Sequence, residues 1–336
     1  MLIADFGELL VMLVVILIAA EVFTNALEHL GERLGISEGV TGSLFAAVGT
    51  AMPESMVPIL AFFAGGSNPE INEEIGVGAI LGAPLMLSTL SLFLMTLSVL
   101  NRRGLAGHLR PERTGLTRDL NFFLVAFVIA AGALFVPHEA EAVQSMLAMV
   151  MLVIYFVYVL MTVRASADLV RDGHGTEAHQ EMYLCRVGMP DNMLVVVLQI
   201  ALGLALLILG AKGFIHGVEQ ASIHLGVSAL FLSLLIVPIA TELPEKVNSI
   251  LWIRRGKDTM AFGNITGAMV FQGTVLPAIG LLLTPWEPRR EVFLGIIVAL
   301  AASAWLRYCL AQGQLVVWQL MLNGMLYVGY IVAMVI

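Results

Sequence analysis

The sequence predicts an all-α membrane protein of ten transmembrane helices, arranged as two inverted-topology five-helix repeats. Three observations carry this. The composition is too apolar for a water-soluble domain, ten apolar runs have spanning length, and the two halves resemble each other. Of 336 residues, 59% are hydrophobic and 12% charged, and mean hydropathy is +0.92. A soluble domain carries about 25% charged residues. These values exclude a soluble enzyme, a disordered chain and a nucleic-acid binder with a basic surface. The net charge of −8 says little, because in a membrane the placement of charge matters more than its sum. Cys185 and Cys309 are far apart, so neither a disulfide framework nor a cysteine metal site is expected.

A helical span needs about 20 mostly apolar residues. The runs are 7–30, 40–64, 76–100, 119–136, 142–163, 191–215, 226–252, 259–283, 291–310 and 314–336. The first has no basic segment before it and contains Glu21, unlike a signal peptide. All are continuous rather than alternating, which excludes a β-barrel. Lys and Arg give the orientation. Arg33, then Arg102, Arg103, Arg110, Arg113 and Arg118, then Arg164, Arg171 and Arg186, then Arg254, Arg255 and Lys257 all fall on one side if spans alternate. The other side has Arg289 and Arg290. The rich side is the cytoplasm, so both termini are expected outside a cell membrane crossed many times.

Sliding the chain by 191 residues places Phe23, Glu28, Leu34, Gly35, Ser37, Thr50, Pro53 and Glu54 on Phe214, Glu219, Leu225, Gly226, Ser228, Thr241, Pro244 and Glu245. At an offset of 185, Gly78, Ile80, Gly82, Ala83 and Thr89 fall on Gly263, Ile265, Gly267, Ala268 and Thr274. The copies are five spans apart, an odd number, so equivalent spans run in opposite directions. The expected parts are a first repeat, 1–163, a cytoplasmic linker loop, 164–190, and a second repeat, 191–336. Inverted repeats build a midplane site from broken helices.

Each copy contains a Thr-x-x-Pro-Glu quartet inside an apolar span. Proline has no N–H, so the carbonyl four residues earlier, of Gly49 or Ala240, loses its partner. Thr and Glu at i and i+4 share a helix face. Each segment therefore offers a hydroxyl, a carboxylate and freed carbonyls, hard oxygen ligands suited to Na⁺ or Ca²⁺. An intramembrane carboxylate is a functional candidate by default. The blander alternative is a pair of proline-kinked helices facing a polar seam. It is disfavoured because the quartet occurs twice, in copies related by inversion.

Gly49-Thr50-Ala51-Met52-Pro53-Glu54 and Ala240-Thr241-Glu242-Leu243-Pro244-Glu245 resemble the G-T-S-x-P-E core of sodium/calcium exchanger α-repeats. The segments 78–83 and 263–268 are similar to the G-N-x-x-G-S element that follows it. The resemblance covers roughly residues 7–100 and 191–283. It implies the calcium/cation antiporter superfamily, whose members exchange Ca²⁺ for Na⁺ or H⁺ by alternating access, with sliding of the first and sixth spans. It also implies a site with Glu54 and Glu245 as shared carboxylates. Thr50, Thr241 and Glu242 would line that site, and Gln272 and Asn264 would support it. The sequence departs from the pattern at Ala51, Glu242, Ala83, Ala268 and Leu87. Ala51, Leu87 and Lys246 keep open a degenerate or channel-like member conducting another cation.

Lys246, opposite Ser55 in the first copy, has two readings. Neighbouring residues on a helix do not share a face. This favours a lysine turned away from the site, snorkelling or pairing with another carboxylate. The alternative sets its ammonium beside Glu242. Glu21 and Lys212 are equivalent by the 191 offset and either pair or find solvent. His174, Glu177, His179 and Glu181 read as a solvated hinge loop rather than a regulatory metal site. No nucleophile or zinc motif suggests an enzyme, and no cofactor is expected. The partners are transported cations and the lipid bilayer, with no nucleic acid. Assembly as a homo-oligomer is left open.

Overall fold

The computed structural model describes residues 2–34, 47–63, 68–137, 139–170 and 181–335. The side chains of Thr50, Pro53 and Pro244 lie outside the described set, as does the loop cluster of His174, Glu177 and His179. The described chain is almost entirely helical. Its helices are α1 (Leu2–Arg33), α2 (Ala47–Phe63), α3 (Pro69–Met86), α4 (Leu92–Arg103), α5 (Arg113–Ala133), α6 (Glu141–Val170), α7 (Tyr183–Arg186) and α8 (Met193–Leu225). They continue with α9 (Ala229–Thr241), α10 (Leu243–Arg254), α11 (Asp258–Leu283), α12 (Arg290–Ala311) and α13 (Val317–Val335). A π-helical turn, Leu87–Ser91, joins α3 to α4 without a loop.

Among the described residues, eight helices are long and apolar enough to cross a membrane. They correspond to eight of the ten expected spans. Of the remaining two, 40–64 is described only from residue 47 to residue 63, and 226–252 appears as two short helices. The first holds α2, whose apolar part is Glu54–Phe63. The second is divided into α9 and α10 at Glu242, whose backbone sits at φ −98°, ψ 12°. Pro238 lies inside α9, where it removes a helical hydrogen bond, and Pro244 stands in the first turn of α10, where its missing N–H has no intrahelical partner to lose.

The chain forms two compact units, residues 1–72 with 159–227, and 73–158 with 228–336. Packing thus groups the chain differently from the sequence halves. In the first unit, α1 and α8 run antiparallel along their length. Gly203 meets Phe23, Gly210 meets Ile16 and Gly217 meets Leu9. Both series step by seven residues, so one face of each helix stays against the other, and the glycines let the backbones approach closely. Polar contacts extend the seam. Gln199 donates to Asn25 Oδ1 (2.8 Å) and to the Val22 carbonyl (3.0 Å). His216 contacts Glu8 (3.2 Å), and Arg33 pairs with Asp191. Glu21 accepts from the Tyr183 hydroxyl (3.0 Å), while Lys212 is exposed.

In the second unit, α11 is nearly encircled by α5, α10 and the π turn. Gly78 and Gly82 of α3 lie against the Leu230 and Leu234 carbonyls of α9. The Leu234 carbonyl is the one freed by Pro238, so the helix defect becomes a site of close backbone packing. Trp286 has a positive φ of 49°. Its buried indole donates to the Ala130 carbonyl (3.0 Å), which offsets the strain. The basic loop after α4 is ordered. Strand β1 (His108–Leu109) pairs antiparallel with β2 (Leu315–Val316), and Arg103 holds Asp258 through two 2.7 Å bonds.

Two predictions follow from these contacts. A Cβ at Gly203 would lie 2.9 Å from the Phe23 backbone, whereas one at Gly132 meets nothing within 4 Å. Gly203→Val should cost about 1–3 kcal/mol by overpacking, and Gly132→Ala should be neutral or slightly stabilising. Thermal unfolding in detergent distinguishes them. Glu112 caps α5 by accepting from the Gly115 and Thr114 N–H groups, chiefly Gly115, and these hold its carboxyl below the usual range. A lowered pKa stabilises the fold above the unfolded value, about 4.3 for Glu, and that gain fades as pH falls below it. Glu112→Ala should therefore lower stability by about 1 kcal/mol near neutral pH and by progressively less in acid.

Candidate cation site

The helix break at Glu242 gathers the polar groups of the second unit. Its N–H donates to the Pro238 carbonyl (3.2 Å), and its own carbonyl accepts from the Lys246 N–H (3.1 Å). The turn from 242 to 246 is therefore helical across the break. This puts the two side chains on one face, and Lys246 Nζ lies 3.4 Å from Glu242 Oε2. The ammonium also donates to the Pro238 carbonyl (2.8 Å) and the Met86 sulfur (2.9 Å). The expectation that Lys246 turns away is thus corrected. The spacing that matters is four residues to Glu242, not one to Glu245.

Glu242, Glu245 and Lys246 are all buried, which is stable only if charges compensate one another or are met by a cation. Gln272 of α11 is fully buried and lies beside the Glu242 carboxylate. Asn264, two turns earlier, donates to the Glu245 carbonyl and to Ser249 Oγ, both at 3.0 Å. It thereby holds α10 against α11. Thr241 is buried and its hydroxyl donates to the Val237 carbonyl (3.1 Å), which leaves its oxygen lone pairs available. One Glu245 oxygen, Oε2, has no hydrogen-bond partner among the described residues. A buried carboxylate oxygen with spare capacity is a natural cation ligand. Glu54 of the first unit is buried in α2, while the Thr50 side chain is not described.

Among the described residues, no three or more His, Cys, Asp or Glu side chains are placed to hold a metal. A cation here would draw on two carboxylates together with amide, hydroxyl and carbonyl oxygens. That donor set suits hard cations and excludes a soft transition-metal centre.

Other polar groups were not singled out from sequence. Asn323 of α13 is fully buried and donates to the Ser88 carbonyl at the π turn (2.8 Å) and to the Ala302 carbonyl (3.3 Å). A lone Asn amid the 314–336 apolar run was the available signal. Asp119 is buried, accepts from Thr266 (2.8 Å) and lies 3.6 Å from Arg118. Its place near a span end disguised it.

Residues 5–164 and 195–336 match the sequence model of the family described as sodium/calcium exchanger protein. The putative antiporter CaxA of Alkalimonas amylolytica is 27% identical over 303 residues, covering 88% of this chain and 82% of that protein. The inner membrane protein YrbG of Escherichia coli (strain K12) is 22% identical over 282 residues, covering 83% of this chain and 80% of that one. The crystal structure of the H⁺/Ca²⁺ exchanger CAX is similar with a TM-score of 0.70 at 16% identity, covering 99% of this chain and 82% of that one. The sodium-calcium exchanger NCX_Mj is similar with a TM-score of 0.58 at 19% identity, covering 99% of both. At these identities the structural likenesses speak for the fold alone. The family match, which runs through both halves, speaks for membership: the chain belongs to the sodium/calcium exchanger family of membrane antiporters.

Proposed function

We propose that this protein exchanges Ca²⁺ for Na⁺ or H⁺ across the cell membrane by alternating access. The observation that carries this reading is the buried pair Glu242 and Glu245 at a proline-broken helix, within a chain of the exchanger family. In this reading the protein is built from ten spans as two inverted repeats. Glu54 from one copy and Glu245 from the other share the transported ion near the midplane. Thr50, Thr241 and Glu242 line the path, and Gln272 and Asn264 support it.

The mechanism is competition. Ca²⁺ and the counter-ion bind the same carboxylates, and a buried carboxylate disfavours being left without a positive partner. The site therefore changes sides only when some cation fills it. The continuous glycine seam between α1 and α8 supports movement of those two helices as one body. No covalent chemistry is involved.

Purified protein in liposomes should accumulate ⁴⁵Ca²⁺ when a Na⁺ gradient or a pH gradient is imposed. Glu54→Gln and Glu245→Gln should reduce that uptake to background while leaving the folded protein in the membrane. Normal exchange in both variants would show that the ions take another route. Ca²⁺ flux that needs no counter-ion would instead favour a channel-like member. Orientation is tested by single cysteines replacing Asp172 and Ile336, in a background lacking Cys185 and Cys309. A membrane-impermeant thiol reagent applied to intact cells should label position 336 and spare position 172. Labelling of position 172 from outside would reverse the topology.

A further inference from the structure

The ammonium of Lys246 has three N–H donors, and its partners include three acceptors. These are the Pro238 carbonyl at 2.8 Å, the Met86 sulfur at 2.9 Å and the Glu242 carboxylate at 3.4 Å. A carboxylate oxygen and the second lone pair of a helical carbonyl are what a bound Na⁺ would also use. The group is buried, so it does not snorkel. The equivalent residue of the first copy is Ser55, so only one half of the repeat carries such a charge.

We propose that the Lys246 ammonium is a tethered cation, permanently filling one monovalent-cation position beside Glu242. The inference rests on reading Glu242 and Glu245 as transport-site carboxylates. Its consequence concerns stoichiometry. The lysine already neutralises one carboxylate charge, so the site takes up fewer mobile cations than the same carboxylates would without it. Lys246 is then a specificity-determining residue, setting how many counter-ions accompany each exchange.

A purely structural lysine would pin the break between α9 and α10 and nothing more. The two roles separate in an equilibrium binding experiment on the full chain in detergent, with ²²Na⁺ and ⁴⁵Ca²⁺ as probes. Lys246→Met keeps the length of the side chain and removes its charge. It leaves Glu242 buried without its partner, a condition relieved by taking up a cation. Saturating ²²Na⁺ binding should rise by about one ion per chain over wild type, and the Na⁺ dependence of Ca²⁺ displacement should steepen. Should Lys246→Met not be recovered folded, Lys246→Gln, which keeps N–H donors without charge, carries the same expectation. An unchanged number of bound Na⁺ in a folded variant would overturn the proposal and return Lys246 to a structural role. Glu242→Gln tests the underlying site independently. It should abolish saturable ⁴⁵Ca²⁺ binding, and wild-type-like Ca²⁺ binding in that variant would reject the site and the inference together.

Discussion

A carboxylate buried among apolar helices needs a positive partner, and much of this structure is arranged around that constraint. Glu242 and Glu245 are taken out of water, where an uncompensated charge is severely disfavoured. Pro238 and Pro244 bracket the point where α9 gives way to α10. The break brings Glu242, Lys246 and the Pro238 carbonyl together. That carbonyl keeps its helical bond from the Glu242 N–H and accepts from the ammonium as well. The sequence defect and the charged cluster are therefore one feature.

The surroundings hold this feature in place. Asn264 ties α11 to the backbone of α10, and Gln272 on the same helix faces Glu242. Asn323 fastens α13 to the π turn that follows Met86, one residue from the sulfur that touches Lys246. Arg103 and Asp258 fix the start of α11 through paired charged bonds, which are the strong kind. Most of these bonds join a side chain to a backbone carbonyl or carboxylate far away in sequence. Such bonds rigidify a membrane bundle, where apolar packing alone gives little preference between protein and lipid.

Much of the fold was legible because apolar run length is a direct consequence of bilayer thickness. The span expected at 226–252 is divided at Glu242, where Pro238 and Pro244 bracket the break, and residues 35–46, ahead of α2, lie outside the described set. Glu242 and Gln272 are site candidates through the resemblance to the exchanger repeats, and both lie in the same buried cluster. For Lys246 the sequence offers two readings, because adjacency to Glu245 argues for turning away while the one-turn relation to Glu242 sets the ammonium beside that carboxylate, and the structure takes the second. Met86 carried no local signal, since its role depends on which helix lies opposite. The same holds for Asp119 with Thr266 and for Asn323 with Ser88, whose partners are more than a hundred residues away. The division into two units was also hidden, because equivalent spans in the repeats share sequence pattern whichever partners they pack against.

The central claim is that the two copies of the quartet contribute carboxylates to one cation site. Its most direct test is Cd²⁺ binding to thiols put in place of those carboxylates. Glu54→Cys and Glu245→Cys would be made singly and together, in a background lacking Cys185 and Cys309. Two thiolates sharing a soft metal hold it far more tightly than either alone. The account predicts tight Cd²⁺ binding, with mutual protection from thiol reagents, in the double variant only. Equal and weak Cd²⁺ binding in the single and double variants, with both thiols reactive, would contradict it.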